Sequence, residues 1–322
     1  MPSRHSATNP PLAVVTGGAG FIGSHLCERL IESGWHVTVL DDLSTGHTAN
    51  LQRLLGHPRF VFLHGDVTQR LPLALATAHR FYNLACPASP AQYQQRPVQT
   101  TLTSLVGTWQ LLALAQASGA RVLQASTSEV YGDPREHPQR ENYRGHVNPI
   151  GPRACYDEGK RCAETLCFAF HRQHAVPIRI ARVFNTYGPR LRPGDGRVVS
   201  NFIAQALRGE PLTVYGNGQQ TRSFCYVDDT LEALTRLMES DVEGPLNIGN
   251  PEEHSVLDLA ERVLRLTGSR SRLEHRPLPA DDPHRRCPDI GRTSRHLHWR
   301  PRVALDDGLR ETIRFIRHEL AH

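Results

Sequence analysis

The stretch Gly17-Gly18-Ala19-Gly20-Phe21-Ile22-Gly23 indicates the fold class of this chain. It follows a short apolar run, Leu12 to Thr16, and leads into a helical pattern at residues 23–33. Between a strand and a helix, glycines permit a tight turn and a close approach of the backbone to a pyrophosphate, which the N–H groups at the helix N-terminus then bind. The spacing therefore predicts a dinucleotide-binding turn.

Short β-rich runs continue to alternate with helical patterns beyond this turn. Strands are expected at His36 to Leu40, Arg59 to Leu63, Arg80 to Leu84 and Arg121 to Ala125, and helices at 98–117 and 153–173. Such alternation predicts an α/β fold with a doubly wound parallel sheet of the Rossmann type. After about residue 184, loops rich in Pro, Gly and Arg surround helices near 198–208, 255–267 and 306–319, which predict a smaller C-terminal substrate-binding lobe.

An acidic residue closes the second predicted strand, since Asp41 follows Gly23 by 18 residues. At this position a carboxylate accepts both hydroxyls of an adenosine ribose and repels a 2′-phosphate, so the sequence favours NAD over NADP. Asp66 and Val67, at the end of the third strand, are expected to receive the adenine amine and to pack against its ring.

The composition excludes several classes of protein. The chain has 322 residues, 39% of them apolar, and 37 basic against 32 acidic side chains give a net charge of +5. No apolar stretch approaches the roughly 18 residues that cross a bilayer, and the polar start from Met1 to Pro10 lacks a secretion signal, so we expect a cytoplasmic protein with no membrane partner. The basic side chains are dispersed without interleaved aromatic residues, which argues against a nucleic-acid partner.

The cysteines and histidines give no local sign of a disulfide framework or a metal site. The seven cysteines form no Cys-x-x-Cys pair, which indicates reduced thiols. Among the eighteen histidines, His171 and His174 share a predicted helix face, but no third ligand is clustered with them. We therefore predict no metal.

Lysine occurs once in the chain, at Lys160, against 36 arginines. A drift toward arginine codons explains the bias but not the one position that kept lysine, whose compact ammonium fits where a guanidinium cannot. Tyr156 lies four residues earlier on the same predicted helix, so both side chains share one face. A phenol with a pKa of about 10 is a poor base at neutral pH, and an adjacent ammonium favours the phenolate. The two residues are the predicted reactive pair, with a plain surface contact as the alternative.

The fifth predicted strand runs into the polar sequence Ser126-Thr127-Ser128-Glu129. These side chains are expected at the carboxyl edge of the sheet, where ligands bind in such folds. A sugar hydroxyl is expected to lie between Tyr156 and Thr127. For Glu129, a structural hydrogen bond is the alternative to a catalytic role.

Together these residues resemble the extended short-chain dehydrogenase/reductases that act on nucleotide sugars. Longer stretches between about residues 12 and 318 resemble the UDP-glucuronate decarboxylases, also called UDP-xylose synthases. The matching stretches are Asn83-Leu-Ala-Cys-Pro-Ala-Ser-Pro90, Ala125-Ser-Thr-Ser-Glu-Val-Tyr-Gly-Asp-Pro134, Gly145-His-Val-Asn-Pro-Ile-Gly-Pro-Arg-Ala-Cys-Tyr-Asp-Glu-Gly-Lys160, Phe184-Asn-Thr-Tyr-Gly-Pro-Arg190, Asp195-Gly-Arg-Val-Val-Ser-Asn-Phe202, Asp281-Asp-Pro283 and Pro288-Asp-Ile290.

The resemblance implies conversion of UDP-glucuronate to UDP-xylose and CO2 with tightly held NAD, through a UDP-4-keto intermediate and without net oxidation. It implies an NAD-binding Rossmann domain at residues 10–184, to which 224–250 return, and a nucleotide-sugar-binding lobe at 185–223 and 251–319.

The resemblance also implies roles for single residues. Tyr156 becomes the base for the C4 hydroxyl, Lys160 tunes it and holds the nicotinamide ribose, and Thr127 and Ser128 hydrogen-bond the reacting sugar. Glu129 and Arg286 are the implied remaining catalytic pair. The guanidinium of Arg286 is placed to pair the substrate carboxylate as a planar fork, although its neighbour Arg285 can equally point inward.

Two sets of binding residues complete what the resemblance implies. The cofactor set is Gly17, Gly20, Phe21, Ile22, Gly23, Asp41, Asp42, Ser44, Thr45, Gly46, Asp66, Val67, Leu84, Cys86, Thr103, Ala125, Tyr156, Lys160, Thr186 and Arg197. The substrate set is Pro87, Ser89, Tyr93, Asn185, Val199, Tyr215, Gln220, Arg222 and Arg286, with Asn185 and Arg222 at the diphosphate and Tyr215 at the uracil.

Two other functions remain open at this point. A UDP-sugar 4-epimerase uses the same tyrosine and lysine but keeps the carboxylate, and a non-catalytic NAD-binding sensor keeps the fold without turnover. Dehydration is disfavoured because Ser128 stands where a dehydratase carries an acid for the leaving hydroxyl.

Three positions depart from the family's pattern. Leu102 stands where a lysine near the sugar is common, Ser104 replaces an asparagine, and Asp42 replaces an asparagine near the adenosine ribose. We expect reduced activity with an unchanged reaction type.

The amphipathic stretches 98–117 and 153–173 predict a homodimer in which they pair in a four-helix bundle, as in similar enzymes. Packing of these faces within one chain is the alternative.

Overall fold

The structure, a computed structural model, describes residues 10–279, 281, 283 and 285–321. The polar start at residues 1–9, on which the absence of a secretion signal was predicted, lies outside the described residues. The strands are β1 (Leu12–Thr16), β2 (His36–Asp41), β3 (Phe60–His64), β4 (Arg80–Asn83), β5 (Arg121–Thr127), β6 (Ile178–Val183), β7 (Thr186–Tyr187), β8 (Leu212–Tyr215), β9 (Thr221–Ser223), β10 (Cys225–Tyr226), β11 (Leu246–Ile248), β12 (Glu253–Ser255), β13 (Leu273–Arg276) and β14 (Arg285–Arg286). The helices are α1 (Phe21–Glu32), α2 (Pro90–Tyr93), α3 (Pro97–Leu102), α4 (Thr108–Ser118), α5 (Ala154–His174), α6 (Val198–Arg208), α7 (Val227–Glu239), α8 (Val256–Thr267), α9 (Gly291–Leu297) and α10 (Leu305–Ala321).

Seven parallel strands form the main sheet in the order β11-β6-β5-β4-β1-β2-β3. The order reverses between β1 and β4, and the crevice at such a switch point is where ligands bind in open α/β sheets. The predicted doubly wound parallel sheet is confirmed. The strands β6 and β11 extend it beyond the five strands expected from apolar runs. The sequence pattern did not indicate β6, because Arg179 and Arg182 interrupt its apolar run and bond to Ser240 and Glu164.

Alternation along the strands buries both faces of the sheet. In β1, Ala13 and Val15 join a core formed with α1, α6, α7, α8 and α10, whereas Val14 joins a second core formed with α4 and α5. All three side chains are fully buried.

The helix predicted at 98–117 is interrupted. The segment Thr103–Gly107 adopts a π-helical turn between α3 and α4. Gly107 meets Val67 at this turn, where a Cβ would lie 2.7 Å from a methyl group of the valine. Such turns often accompany functional sites, and Thr103 of this turn lines the central cavity.

The smaller lobe combines short strands with helices α6, α8 and α10. Its strands are paired as β12-β9-β14 and as β8 with β13, and β7 pairs with β10 beside them. Within the described part of the chain, none of the helices has both the length and the apolar composition that spanning a membrane requires.

Candidate active site

A cavity of about 1330 Å³ opens at the carboxyl ends of the main strands and reaches into the smaller lobe. Every predicted catalytic residue lines it, and so does every predicted binding residue except Gly46, Ser89 and Tyr93. Side chains from β5, α5, β9 and β14 thus meet in one space.

The glycine turn leaves room at the switch point that no other residue type would leave. Gly17 has a φ of +70°, and a Cβ there would lie 2.8 Å from the carbonyl oxygen of Leu84. A Cβ on Gly23 would lie 2.2 Å from the carbonyl oxygen of Gly17. The turn leads into α1, whose first turn carries no acidic side chain, so its positive end is free for an anion.

Asp41 is held in a fixed orientation at the end of β2. Its two carboxylate oxygens accept the backbone N–H groups of Ala19 and Leu43, at 2.8 and 2.9 Å. Each oxygen keeps a second lone pair for a ligand hydroxyl. Asp66 is oriented in a similar way by the N–H of Thr68 and the amide of Gln99, at 2.8 and 3.1 Å.

Three predicted contact residues lie behind the cavity wall instead of in it. Gly46 packs behind Asp41, because a Cβ there would lie 3.0 Å from the aspartate oxygen. Ser89 is fully buried as the N-terminal cap residue of α2. Tyr93 is also buried and stacks on Tyr156 with ring centroids 5.0 Å apart and the planes 2° from parallel. These residues support lining residues and do not line the cavity themselves.

The predicted reactive pair lies as the helical spacing requires. Tyr156 and Lys160 are buried on α5, and the Lys160 ammonium lies 5.7 Å from the centre of the phenol ring. Its Nζ donates to the carbonyl of Ala125 at 2.9 Å, which ties α5 to β5. Thr127, the last residue of β5, hydrogen-bonds the Tyr156 hydroxyl.

The electrostatics of Tyr156 differ from the expectation. Burial raises the pKa of the phenol, Cys86 and Glu129 raise it further, and the hydrogen bond from Thr127 only partly opposes them. The expectation that Lys160 makes this phenol acidic is therefore not met, because desolvation of the phenolate dominates.

Glu129 lies between two buried arginines. Arg286 binds it in bidentate fashion, with both N–O distances at 2.7 Å, and Arg153 contacts one oxygen at 2.8 Å. Burial tends to raise the pKa of this carboxyl, but the charges of Arg286 and Arg153 outweigh burial and lower the pKa. Arg286 is buried whereas Arg285 is exposed, which decides which of the two points inward.

This geometry corrects the expectation that the fork of Arg286 is open to the substrate carboxylate. Both terminal nitrogens already face Glu129, because a buried carboxylate needs a counter-charge. Arg153, which lines the cavity, was quoted in the matching stretches but assigned no role. Its sequence position was informative, since Arg153 lies three residues before Tyr156, at the N-cap of α5.

Asp157 is a second carboxyl near this network. It is buried, and its Oδ1 has no hydrogen-bond partner among the described residues. Burial, followed by the charge of Glu129, raises the pKa of Asp157 to about 8. The side chain is therefore mainly protonated at neutral pH.

Replacing Asp157 with Asn is expected to flatten the pH dependence of stability. The native state binds this proton more tightly than the unfolded chain, so the free energy of unfolding of the wild type falls as pH rises from about 4 to 8. Between pH 5.5 and 8 we expect the wild type to lose about 3 kcal/mol of unfolding free energy, a loss that the neutral amide avoids. Urea unfolding of both proteins at the two pH values measures it, and equal slopes would contradict the protonated state.

Residues of the smaller lobe complete the cavity wall. Asn185, Arg222 and Tyr215 all line it, and Gln220 donates to the backbone carbonyl of Tyr215 at 2.7 Å. Arg222 is buried, whereas Tyr215 is 41% exposed. The buried guanidinium suits an anion, and the exposed ring suits a planar base near the cavity mouth.

The three departures from the family's pattern lie at different depths. Leu102 is 40% exposed and does not line the cavity. Ser104 is buried, and its hydroxyl lies 3.4 Å from the sulfur of Cys86. The exposed Asp42 lines the cavity and accepts hydrogen bonds from the backbone and side chain of Ser44. Only Asp42 can therefore touch a ligand directly.

Comparisons with known proteins agree with this geometry. Residues 14–312 match the sequence model of the GDP-mannose 4,6 dehydratase family. UDP-glucuronic acid decarboxylase 6 of Arabidopsis thaliana is 55% identical over 297 residues, covering 92% of this chain and 86% of the relative. UDP-glucuronic acid decarboxylase 1 of Danio rerio is 51% identical over 309 residues, covering 96% and 73%.

A solved structure shares the fold at lower identity. The UDP-glucuronic acid 4-epimerase from Bacillus cereus, in complex with UDP-glucuronic acid and NAD, superposes with a TM-score of 0.87 at 31% identity, covering 96% of this chain and 99% of the epimerase. The sequence is thus closer to the decarboxylases than to this epimerase. The chain belongs to the UDP-glucuronic acid decarboxylase family of extended short-chain dehydrogenase/reductases.

Proposed function

We propose that this protein is a carboxy-lyase that converts UDP-glucuronate to UDP-xylose and CO2 with NAD as its cofactor. The observation that carries the proposal is the meeting of Thr127, Tyr156 and Lys160 with the Glu129–Arg286 pair in one cavity. An identity of 51–55% to decarboxylases supports it.

The residues at the switch point fit NAD. The turn at Gly17 to Gly23 leaves the backbone bare for a pyrophosphate, and the oriented carboxylate of Asp41 is suited to the adenosine ribose hydroxyls. Lys160 would hold the nicotinamide ribose. When bound, NAD accepts a hydride from C4 of the sugar and later returns it, so no external reductant is consumed.

The remaining chemistry falls to the chain's own residues. Tyr156, which has to react as its phenolate beside the Lys160 ammonium, takes the proton of the C4 hydroxyl, and Thr127 hydrogen-bonds the same oxygen. The resulting C4 ketone lies β to the carboxylate, so loss of CO2 leaves an enolate with its charge on the C4 oxygen. The Tyr156 and Thr127 hydroxyls stabilise that oxygen, and protonation at C5 precedes the return to a C4 alcohol.

The buried ion pair shapes the same pocket. Because Arg286 is bound in bidentate fashion by Glu129, we propose that Arg286 and Arg153 hold an ionised Glu129 beside the reacting sugar. Ser128, which is also buried in the cavity wall, offers a hydroxyl where dehydration would require an acid. This arrangement favours loss of CO2 over loss of water.

An assay with no added cofactor tests the proposal. The purified protein is incubated with UDP-glucuronate, and the products are separated by anion exchange while released CO2 is measured. We expect CO2 and a UDP-pentose in equal amounts. A UDP-galacturonate product would identify the 4-epimerase instead, and bound NAD without any product would identify a sensor.

Replacing Asp41 with Asn is expected to weaken the preference for NAD over NADP. The amide keeps an acceptor oxygen but loses the charge that repels a 2′-phosphate, so the ratio of the two dissociation constants should fall at least tenfold, or about 1.4 kcal/mol. Titration of the cofactor-depleted protein with each dinucleotide measures the ratio. Asp307→Asn, on α10 outside the cavity wall, controls for the loss of one negative charge and should keep the wild-type ratio. Equal ratios for wild type and Asp41→Asn would contradict the role of Asp41.

We propose that the protein is a cytoplasmic homodimer. The seven cysteines are all free, which suits a reducing compartment. On the segment from α3 to α4, the apolar side chains of Leu102 and Trp109 are 40% and 53% exposed. Exposed apolar side chains of this size favour contact with a second copy.

Replacing Trp109 with Glu is expected to convert the dimer to monomer at micromolar concentration, because it places a charge in an apolar interface. Light scattering after size exclusion measures the mass. Arg208→Glu on α6 is the control for added negative charge and should remain dimeric. A monomeric wild type, or a dimeric Trp109→Glu, would overturn this interface.

A further inference from the structure

Three metal-ligating side chains from distant parts of the chain meet in the smaller lobe, outside the cavity wall. They are His137, Glu253 and Cys287, and their ligand atoms all lie within 4.8 Å of one another. Nε2 of His137 is 2.9 Å from Oε2 of Glu253, and the Cys287 thiol points to the carbonyl of Pro251 at 3.4 Å.

Backbone contacts bring the first and third of these residues together. The N–H of Gln139 donates to the carbonyl of Cys287, and the N–H of Cys287 donates to the side-chain carbonyl of Gln139, both at 2.8 Å. The segment that carries His137 is thus anchored beside the thiol before any ion binds.

A second contact orients the carboxylate. Glu253 begins β12, which is paired with β9. From β9, the Thr221 hydroxyl donates to Oε1 of Glu253 at 2.6 Å. That bond leaves Oε2 directed toward His137, and outer-shell hydrogen bonds of this kind orient ligands in metal sites.

We propose that His137, Glu253 and Cys287 form a binding site for one zinc-class divalent cation. Imidazole, carboxylate and thiolate are the ligand types that Zn²⁺ and Co²⁺ accept together, whereas Mg²⁺ and Ca²⁺ prefer oxygen alone. Tetrahedral coordination at zinc bond lengths places ligand atoms about 3.5 Å apart. Since the three ligand atoms lie within 4.8 Å of one another, no separation has to shorten by more than about 1.3 Å.

The exposure of the site and the charges of its ligands are compatible with a bound divalent cation. The His137 side chain is 33% exposed, which gives the ion an entry path and leaves the fourth coordination position to water. On binding, the Cys287 thiol releases one proton to solvent and the sulfur becomes a thiolate ligand. The site then holds a dication against two anionic ligands.

The position of the site links it to the active-site cavity. Cys287 directly follows Arg286, whose guanidinium binds Glu129. A cation bound by the three residues fastens β14 to β12 and to the segment before Gln139, and so fixes the backbone from which Arg286 projects. The prediction of no metal rested on local spacing. Local spacing cannot reveal this site, because 116 residues separate His137 from Glu253 and 34 separate Glu253 from Cys287.

Titration of the chelator-treated, full-length protein with Co²⁺ tests the proposal. We expect one Co²⁺ per chain, a near-ultraviolet thiolate-to-cobalt band, and displacement of that band by Zn²⁺. Cys287→Ser should abolish the band. His137→Ala, at an exposed position that tolerates truncation, should weaken binding more than about 100-fold, which exceeds the usual effect of an outer-shell change.

Two further variants make the test specific. Cys162→Ser removes the exposed thiol on α5 and should keep both the band and the affinity. Thr221→Val removes only the hydrogen bond to Glu253 and should weaken binding about tenfold. Absence of saturable binding, or a band that persists in Cys287→Ser, would overturn the site and leave a His137–Glu253 ion pair beside an uncoordinated thiol.

Discussion

Tyr156→Phe is expected to lower the turnover of UDP-glucuronate about 10³-fold while leaving NAD bound. The phenol ring, its stacking on Tyr93 and the position of Lys160 are retained, so only the proton acceptor for the C4 hydroxyl is lost. Single-turnover measurements of CO2 release give the rate, and absorbance of the purified protein after denaturation gives the bound cofactor.

Tyr143→Phe controls for the loss of a tyrosine hydroxyl elsewhere. Its hydroxyl accepts the backbone N–H of Arg135 at 3.0 Å in a loop outside the cavity wall. This variant should retain most of the wild-type rate. Unchanged turnover in Tyr156→Phe would refute the role of the phenol, and loss of bound NAD would show that the hydroxyl serves mainly to hold the cofactor.

Glu129→Gln is expected to affect both stability and rate. The amide keeps the shape of the side chain but leaves Arg153 and Arg286 buried without their counter-charge, which should cost about 3 kcal/mol in the free energy of unfolding. Because the ionised carboxylate beside the reacting sugar is then lost, we expect turnover to fall about 100-fold. Urea unfolding and steady-state kinetics measure the two effects.

Glu164→Gln separates the catalytic from the structural contribution. Glu164 is another buried carboxylate, and it pairs with Arg182 at 2.7 Å and accepts the Ser126 hydroxyl at 2.5 Å. Its loss should lower stability by a similar amount and spare most of the turnover. If Glu129→Gln behaves in the same way, Glu129 has only the structural role that its sequence position left open.

The fold was largely predictable because its signals are local. The turn at Gly17 to Gly23 requires glycine at positions where a side chain would lie within 3 Å of backbone atoms. Glycine at these positions therefore indicates the tight turn directly. The strands from Leu12 to Thr16 and from Arg121 onward were predicted from apolar runs. The strand β6 was missed, because its arginines are satisfied only by partners far away in the chain.

In the candidate site, too, the features with local signals were predictable and those that depend on long-range contacts were not. Tyr156 and Lys160 share a helix, and their spacing of four residues alone places the ammonium beside the ring. The bidentate contact between Glu129 and Arg286 spans 157 residues, and no local pattern predicts it. The raised pKa of Tyr156 depends on how completely the folded chain excludes water, which the residue type cannot report.

The sequence by itself determined the dinucleotide turn, the acid at Asp41 and the helical tyrosine–lysine pair. Each of these features depends on steric or periodic constraints between residues that are close together in the sequence. What only the tertiary structure decided is that Arg286 points inward, that Tyr93 lies beneath Tyr156, and that His137, Glu253 and Cys287 come together. Those contacts depend on the path of the whole chain, since residues far apart in sequence meet only where packing brings their strands side by side.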